Sequence, residues 1–405
     1  MRLPRLWIFL VIALLLGGGV AIWRQQPPQQ PVRIGILHSL TGTMSLHERP
    51  LVDALNLAIE EINQSGGLLG QRVEAVVADC RSDAEFCAQE AERLITQEQV
   101  SALFGCWTST CRKAVKPVVE KHNHLLFYPL RYEGMEQSPN IIYLGAAPNQ
   151  QLVPAVRWVF DNLGKRFYLV GDDYVFSRTS NLVMKDIIKA QGGQVLGERY
   201  LPENGMDATI ADILRLKPDV VINTINGNTN VAFFTALAKA GLTAEQVPVL
   251  STSIAEAGVN VMPLGIMTGH YAAWDYFQSL PGEANRRFVA AIKHRYGAGA
   301  VINDPMEISY VGLHLWQQAV QAAESADPVK VNRTILKQSM AAPEGVVAVS
   351  QEARHLWRSV HIGHVRPDGQ FAILWSSPKP IRPEPYPTYR SIAKWKEMLE
   401  QAGVQ

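Results

Sequence analysis

Short apolar runs alternate with longer amphipathic stretches from residue 32 onward, and this alternation dominates the chain. Four short runs, three of them rich in β-branched or aromatic residues, predict strands at residues 32–37, 72–78, 102–105 and 125–128. The longer stretches between them have apolar residues at helical spacing, at residues 51–63, 84–96 and 112–121. Strands separated by helices predict a parallel sheet that helices cover on both faces.

The same unit starts again near residue 150 and predicts a second sheet of this kind. Its predicted strands are residues 167–170, 194–200, 220–224 and 247–251, with helices between them. Two helices follow, at 285–296 and 306–322, and then strands at 346–349, 360–365 and 371–375. We therefore predict an α/β protein with two doubly wound parallel-sheet lobes that exchange chain segments. The predicted first lobe is 31–147 plus 277–343, the second is 148–276 plus 344–385, and 386–405 form a C-terminal tail.

The first 30 residues differ from the rest. Arg2 and Arg5 precede an apolar run at residues 6–23, which Arg24 ends. This pattern predicts an export signal and a periplasmic location. The run is also about long enough to span a bilayer, so cleavage and retention as an N-terminal membrane anchor both stay open.

Composition excludes one class of partner. The 405 residues are 47% apolar and 19% charged, with a formal net charge of +1. Such a chain has no basic field with which to neutralise phosphates, so we expect no nucleic acid partner.

Four cysteines lie within one short window, at positions 80, 87, 106 and 111. In an exported protein such a cluster indicates disulfides, and three connectivities are open. The window lacks the C-x-x-C pairs of structural zinc sites, so no metal is expected.

Catalytic motifs are missing from the sequence. It has no G-x-S-x-G elbow, no P-loop, no H-E-x-x-H and no G-x-G-x-x-G after a predicted strand. We predict no catalytic residues, no cofactor and no enzymatic activity.

Aromatic and small polar residues follow the predicted strands at their carboxyl ends, where open α/β sheets bind ligands. The aromatic members are Trp107, Tyr128, Tyr132, Tyr174, Phe176, Trp274 and Tyr276. Together they predict a flat, enclosed site for a small planar solute.

Several segments resemble the substrate-binding proteins of urea transporters. They include 35–44 (GILHSLTGTM), 104–109 (FGCWTS), 127–129 (FYP), 145–150 (GAAPNQ), 173–176 (DYVF) and 269–274 (GHYAAW). The resemblance extends over essentially the whole chain after the export signal, and the family also includes an amide-sensing regulator of an amidase operon. It implies the type I periplasmic binding fold, in which two lobes close about a hinge on a small amide and present it to the permease of an ABC importer.

The resemblance also implies the pocket residues. The matching motifs carry Trp107, Ser109, Tyr128, Tyr174 and Phe176. The first loop adds Ser39, Thr41 and Glu48, and Glu48 and Glu256 are candidate acceptors for the N–H groups of the solute.

The positions of the cysteines and the resemblance to type I receptors together imply a disulfide pairing. Cys80 and Cys106 end two consecutive predicted strands, and neighbouring strands of a sheet lie about 4.8 Å apart. More distant type I receptors for branched-chain amino acids are similar and have a bridge between such strand ends. We predict Cys80–Cys106, with Cys87–Cys111 as a second bridge.

Two positions depart from the urea receptors. Arg131 stands where they usually have Gln, and Asn228 where they usually have Asp. Both changes raise the charge of the site and favour a solute that bears a carboxylate. Alternatively, Arg131 pairs with Glu133 or turns to solvent and leaves a urea site unchanged. A second reading of the function is a membrane-anchored periplasmic sensor subunit that reports the solute to a sensor kinase.

Overall fold

The computed structural model describes residues 30–201 and 205–404. All but the last residue of the predicted export signal or anchor lies outside this part of the chain. No helix in the described residues is long and apolar enough to cross a membrane.

The first sheet is parallel and has the strand order β2-β1-β3-β4-β5. Its strands are β1 (Val32–His38), β2 (Val73–Asp79), β3 (Leu103–Gly105), β4 (Leu126–Tyr128) and β5 (Ile141–Tyr143). The helices between the first four strands are α1 (Ser45–Gln64), α2 (Ala84–Thr96) and α3 (Ser109–Lys121). The interior strand β1 buries Ile34 and Ile36 completely, as expected of a parallel strand covered on both faces.

The second sheet has seven strands in the order β15-β14-β10-β9-β8-β6-β7. Five parallel strands form most of it: β6 (Arg166–Asp172), β7 (Gln194–Leu201), β8 (Val220–Thr224), β9 (Val249–Ser251) and β10 (Tyr271–Trp274). Two antiparallel strands extend it, β14 (His361–Val365) and β15 (Phe371–Ser376). Its helices are α4 (Pro148–Asn162), α5 (Val175–Ala190), α6 (Met206–Leu216), α7 (Thr229–Lys239), α8 (Glu256–Asn260) and α9 (Leu264–Met267).

The chain then returns to the first lobe. This part contains α10 (Glu283–Tyr296), α11 (Asp304–Ala323), α12 (Pro328–Thr334), a 3₁₀ turn (Ile335–Lys337) and a small sheet of β11 (Ser339–Ala342), β12 (Gly345–Val349) and β13 (Leu356–Trp357). Val347 and Leu356 are fully buried in the same core as Ile34 of β1 and Trp316 of α11. Residues 344–357 therefore belong to the first lobe, and their predicted assignment to the second lobe is wrong. The alternating pattern predicted a buried strand face but carried no information on which core would cover it.

The predicted C-terminal tail contains a helix, α13 (Ile392–Gln401). Its Trp395 is fully buried in the second-lobe core, and the indole N–H donates to the Pro387 carbonyl oxygen at 2.8 Å. The tail is therefore part of the second lobe.

Three segments connect the lobes, at residues 144–147, 275–282 and 358–360, and Arg358 joins all three. Its fully buried guanidinium donates to the Leu144 carbonyl oxygen at 3.4 Å and lies 3.3 Å from the Asp275 carboxylate. It also pairs with Asp304 at 2.7 Å and with Glu344. These contacts hold the three connections together and identify this region as the hinge.

The cysteines pair locally, as Cys80–Cys87 and Cys106–Cys111. The predicted Cys80–Cys106 bridge is wrong because β1 lies between β2 and β3, so the two strand ends are two strand spacings apart. The predicted Cys87–Cys111 bridge is also not formed, although these two sulfur atoms lie 3.1 Å apart.

Candidate functional site

A cavity of about 300 Å³ lies between the lobes, at the carboxyl ends of strands from both sheets. Loops and helix starts after β1, β3 and β4 supply one wall, with Met44, Trp107, Thr108, Ser109, Tyr128, Leu130 and Arg131. The opposite wall is formed at the ends of β6, β7 and β8, by Asp172, Asp173, Tyr174, Phe176, Leu201, Asn226 and Thr229. The structure thus brings six of the predicted residues together: Trp107, Ser109, Tyr128, Arg131, Tyr174 and Phe176.

Trp107 is held in the first wall by its backbone. The hydroxyl of buried Tyr128 donates to the Trp107 carbonyl oxygen at 3.0 Å, and the indole ring stacks on His47 with centroids 5.6 Å apart. Gly105 precedes this loop with φ +153°, and a Cβ there would overlap the Leu37 backbone of the neighbouring strand. The Cys106–Cys111 bridge closes the loop on its other side. The half-buried Trp107 ring is therefore presented to the cavity by a braced loop.

Ser109 presents its backbone amide to the cleft, whereas its hydroxyl is held by two side chains of its own lobe. The hydroxyl donates to Glu133 at 2.6 Å and accepts from Arg112 at 3.1 Å, and Arg112 also pairs with Glu133 at 2.9 Å. The Ser109 amide at the start of α3 donates across the cleft to the Tyr174 hydroxyl at 2.5 Å. Burial raises the pKa of Tyr174, so its phenol stays protonated at neutral pH. Tyr174 thus joins the second lobe to a helix start of the first.

Arg131 reaches from the first lobe into the second. Its side chain donates to the Thr252 carbonyl oxygen at 2.5 Å and to the Asn226 amide oxygen at 2.9 Å. The guanidinium carbon lies 4.3 Å from the ring centroid of Phe176 and 5.0 Å from that of Trp274. The residue is only 4% exposed, and burial lowers its pKa to about 10, so it remains charged at pH 7. The alternatives in which it turns to solvent or pairs with Glu133 do not occur in the structure.

Asp172 is a cavity residue that the sequence analysis did not single out. Its carboxylate accepts from the backbone N–H of Asn226 at 2.6 Å and from the side-chain amide of Asn226 at 3.2 Å. Burial raises its pKa to about 6, against the opposing effect of these hydrogen bonds and of Arg131. The signal in the sequence was its position just after the predicted strand 167–170, which many residues without a binding role share.

The first-loop candidates lie elsewhere. Helix α1 begins at Ser45, before the predicted start at 51, so Glu48 lies in its first turn. The Glu48 carboxylate is turned back to the His38 ring at 2.8 Å and to the Ser39 amide at 2.9 Å. The Thr41 hydroxyl donates to Asp79 at 2.7 Å. These three residues brace the loop after β1, and none of them lines the cavity.

Glu256 and Asn228 are also displaced from the cavity. Glu256 is fully buried at the start of α8 and accepts from the Gln278 amide at 2.6 Å, close to the hinge. Asn228 precedes α7 and lines a smaller neighbouring space of about 50 Å³ together with Trp107 and Arg131. The predicted charge effect therefore depends on Arg131 and not on Asn228.

The cavity offers aromatic faces, the unpaired cation Arg131, a helix start and two carboxylates, of which Asp173 pairs with Arg178 at 2.5 Å and Asp172 forms no ion pair within the described residues. Asp172 and Asn226 accept from N–H groups, and the guanidinium donates to anions. Among the described residues, the one group with metal-binding potential is Cys80, Cys87 and Cys111, and all three are in disulfides. The arrangement is suited to holding a small planar polar solute.

Residues 32–392 match the family described as periplasmic binding protein domain. Leu/Ile/Val-binding protein homolog 8 of Brucella abortus is 24% identical over 343 residues, which cover 78% of this chain and 82% of that protein. A protein named limonene hydroxylase, from Geobacillus stearothermophilus, is 36% identical over 141 residues. That match covers 33% of this chain, and this chain spans only 26% of the relative.

Solved structures share the fold. A solute-binding protein of an ABC transporter from Rhodopseudomonas palustris BisB5, in complex with 3,4-dihydroxybenzoic acid, is similar with a TM-score of 0.78. Its identity is 18%, over 87% of this chain and 98% of that one. A leucine-binding protein from Thermotoga maritima has a TM-score of 0.75 at 20% identity, over 85% of this chain and 98% of that one. The predicted α/β fold with parallel-sheet lobes is confirmed.

Proposed function

This chain belongs to the periplasmic binding protein domain family, and we propose that it is the solute receptor of an ABC importer, closing on a small planar solute of the urea or amide type. The family is described as a periplasmic binding protein domain, and one protein of this fold is the solute-binding protein of an ABC transporter. The partial match to limonene hydroxylase covers too little of that protein to carry its activity here.

The interlobe cavity is the observation that carries the proposal. Both lobes contribute to it, and Tyr174 and Arg131 each form hydrogen bonds from one lobe to the other. Closure therefore completes the site, because neither wall alone surrounds a solute. Aromatic faces at Trp107 and Phe176 favour a planar group, and the polar atoms of Asn226 and Asp172 suit its N–H donors.

We place the receptor in the periplasm, in keeping with its family. The alternative of an anchored sensor subunit depends on residues 1–30, nearly all of which lie outside the described residues. The relatives favour presentation of the solute to a permease. One of them is the solute-binding protein of an ABC transporter, and another is a Leu/Ile/Val-binding protein homologue.

The test is a thermal-shift screen followed by titration calorimetry. The panel is urea, formamide, acetamide, leucine, benzoate and 4-hydroxybenzoate, the last three because relatives bind such acids. A solute present at 100 times its dissociation constant stabilises the fold by about 2.7 kcal/mol. Ammonia release from urea or an amide would contradict the receptor proposal, whereas solute binding that survives Trp107→Ala unchanged would contradict the placement of the site in this cavity. Trp357→Ala, in the small sheet of the first lobe, is the matched control.

A further inference from the structure

We infer that the solute is a small acid with N–H donors at its other end: its carboxylate binds Arg131, and its amide or ureido N–H groups reach Asp172. This inference rests on the proposed function and names the class of solute within it.

Arg131 is a buried cation without a counter-ion. No ion pair among the described residues includes it. The two oxygen atoms that accept hydrogen bonds from its side chain, the Thr252 backbone carbonyl and the Asn226 side-chain amide, are uncharged. The nearby acid Glu133 is already paired with Arg112 at 2.9 Å. A guanidinium has five N–H donors, and these hydrogen bonds use two of them. A buried charge is costly unless it is paired, so the remaining donors favour an anion in the cavity.

The planar shape of the Arg131 guanidinium favours a carboxylate as the bound anion. Phe176 and Trp274 face the guanidinium at 4.3 and 5.0 Å, and the Trp274 indole is itself held by the Ile254 carbonyl at 2.7 Å. The hydrogen bonds to Thr252 and Asn226 further restrict its rotation. A planar fork held in this way matches the two oxygens of a carboxylate.

Asp172 supplies the opposite charge in the same cavity. Its hydrogen bonds to Asn226 use only Oδ2, so Oδ1 remains as an acceptor. Asp172 forms no ion pair with Arg131. The Asn226 amide lies between them, with its oxygen accepting from Arg131 and its nitrogen donating to Asp172. The two charges are thus separated by one amide group and a hydrogen bond at each end of it, and a solute with a carboxylate at one end and N–H donors at the other satisfies both.

The size of the cavity is consistent with a solute larger than urea. Its volume of about 300 Å³ is many times the roughly 10–15 Å³ that one water molecule requires, whereas urea has only four heavy atoms. A carboxylate-bearing urea or amide fills more of this space.

The experiment compares three probes by calorimetry on the wild-type protein. N-carbamoylglycine has both groups, N-carbamoylglycinamide lacks the anion, and propionate lacks the N–H donors. We expect N-carbamoylglycine to bind at least about tenfold more tightly than either of the others, as loss of a charge-assisted contact implies. Equal or tighter binding of the neutral amide would overturn the inference and leave the proposed function standing. A cavity that binds none of the three probes, nor any solute of the wider panel, would overturn both.

Variants then assign the two ends. Arg131→Gln should abolish the preference for N-carbamoylglycine over its neutral amide, and Asp172→Asn should abolish its preference over propionate. Arg366→Gln, an exposed arginine paired with Asp368 away from the cleft, is the control and should keep both preferences. Should Arg131→Gln fail to fold, the wild-type comparison still decides. Preferences retained in both cleft variants would refute the assigned roles.

Discussion

Among the described residues, Arg358 is the one cation in a buried cluster of carboxylates at the hinge, and its removal should destabilise the protein in a pH-dependent way. Its side chain lies within 3.7 Å of Asp275, Asp304, Glu307 and Glu344, and all five side chains are at most 1% exposed. Burial opposes its charge, but the surrounding carboxylates hold the pKa of Arg358 well above its ordinary value.

The perturbation is Arg358→Met, which keeps much of the volume and removes the charge. Losing one partner of a buried ion pair costs about 3–5 kcal/mol, because the other charges remain buried without compensation. Here several carboxylates lose their cation, so we expect the upper part of this range at pH 8. At pH 5 the loss should be smaller, because the carboxylates can be neutralised by protons.

The sign of this pH effect follows from the wild-type carboxylates. Burial raises the pKa of Glu344 to about 7 and also raises that of Glu307. Between the unfolded pKa of about 4.5 and the folded value, the native state holds protons that the unfolded state releases. The free energy of unfolding therefore falls as pH rises through this window, and loss of Arg358 makes that fall steeper.

Guanidinium unfolding at pH 5 and pH 8, followed by tryptophan fluorescence, measures the effect. Guanidinium is preferred to urea because urea is a candidate solute. Arg366→Met removes an exposed arginine and should change stability by no more than about 0.5 kcal/mol at either pH. A loss below about 1 kcal/mol for Arg358→Met at pH 8, or equal losses at the two pH values, would refute the reasoning.

Three further outcomes are expected. Trp107→Ala should raise the solute Kd at least about tenfold in calorimetry, because it removes an aromatic wall of the cavity. An unchanged Kd would show that the solute binds elsewhere. Burial raises the pKa of Glu256 from 4.5 to about 8, so wild-type stability declines as pH rises between these values. Glu256→Gln cannot titrate, and its stability relative to wild type should therefore increase from pH 5 to pH 8; parallel curves would contradict this. Trp395→Ala should cost about 3–5 kcal/mol in guanidinium unfolding, since the indole is fully buried, whereas Trp357→Ala, at 36% exposure, should cost much less.

Local patterns in the sequence were sufficient for the elements and for part of the site. The buried run of β1 and the strand-helix alternation predicted two parallel sheets because each signal lies within a few consecutive residues. Seven aromatic residues were predicted to form a site because the carboxyl ends of parallel strands gather at one edge of a sheet, and four of them line the cavity: Trp107, Tyr128, Tyr174 and Phe176.

Strand order and side-chain direction required the tertiary structure. Cys80 and Cys106 end consecutive strands, yet β1 lies between them, and only contacts between distant segments decide that order. Residues 344–357 have a strand pattern that suits either core. Arg131 has Glu133 two positions away, but Glu133 pairs with Arg112, and Arg131 instead meets Thr252 and Asn226 of the other lobe. Each of these outcomes depends on free-energy differences between competing long-range contacts, which periodicity and spacing along the chain do not contain.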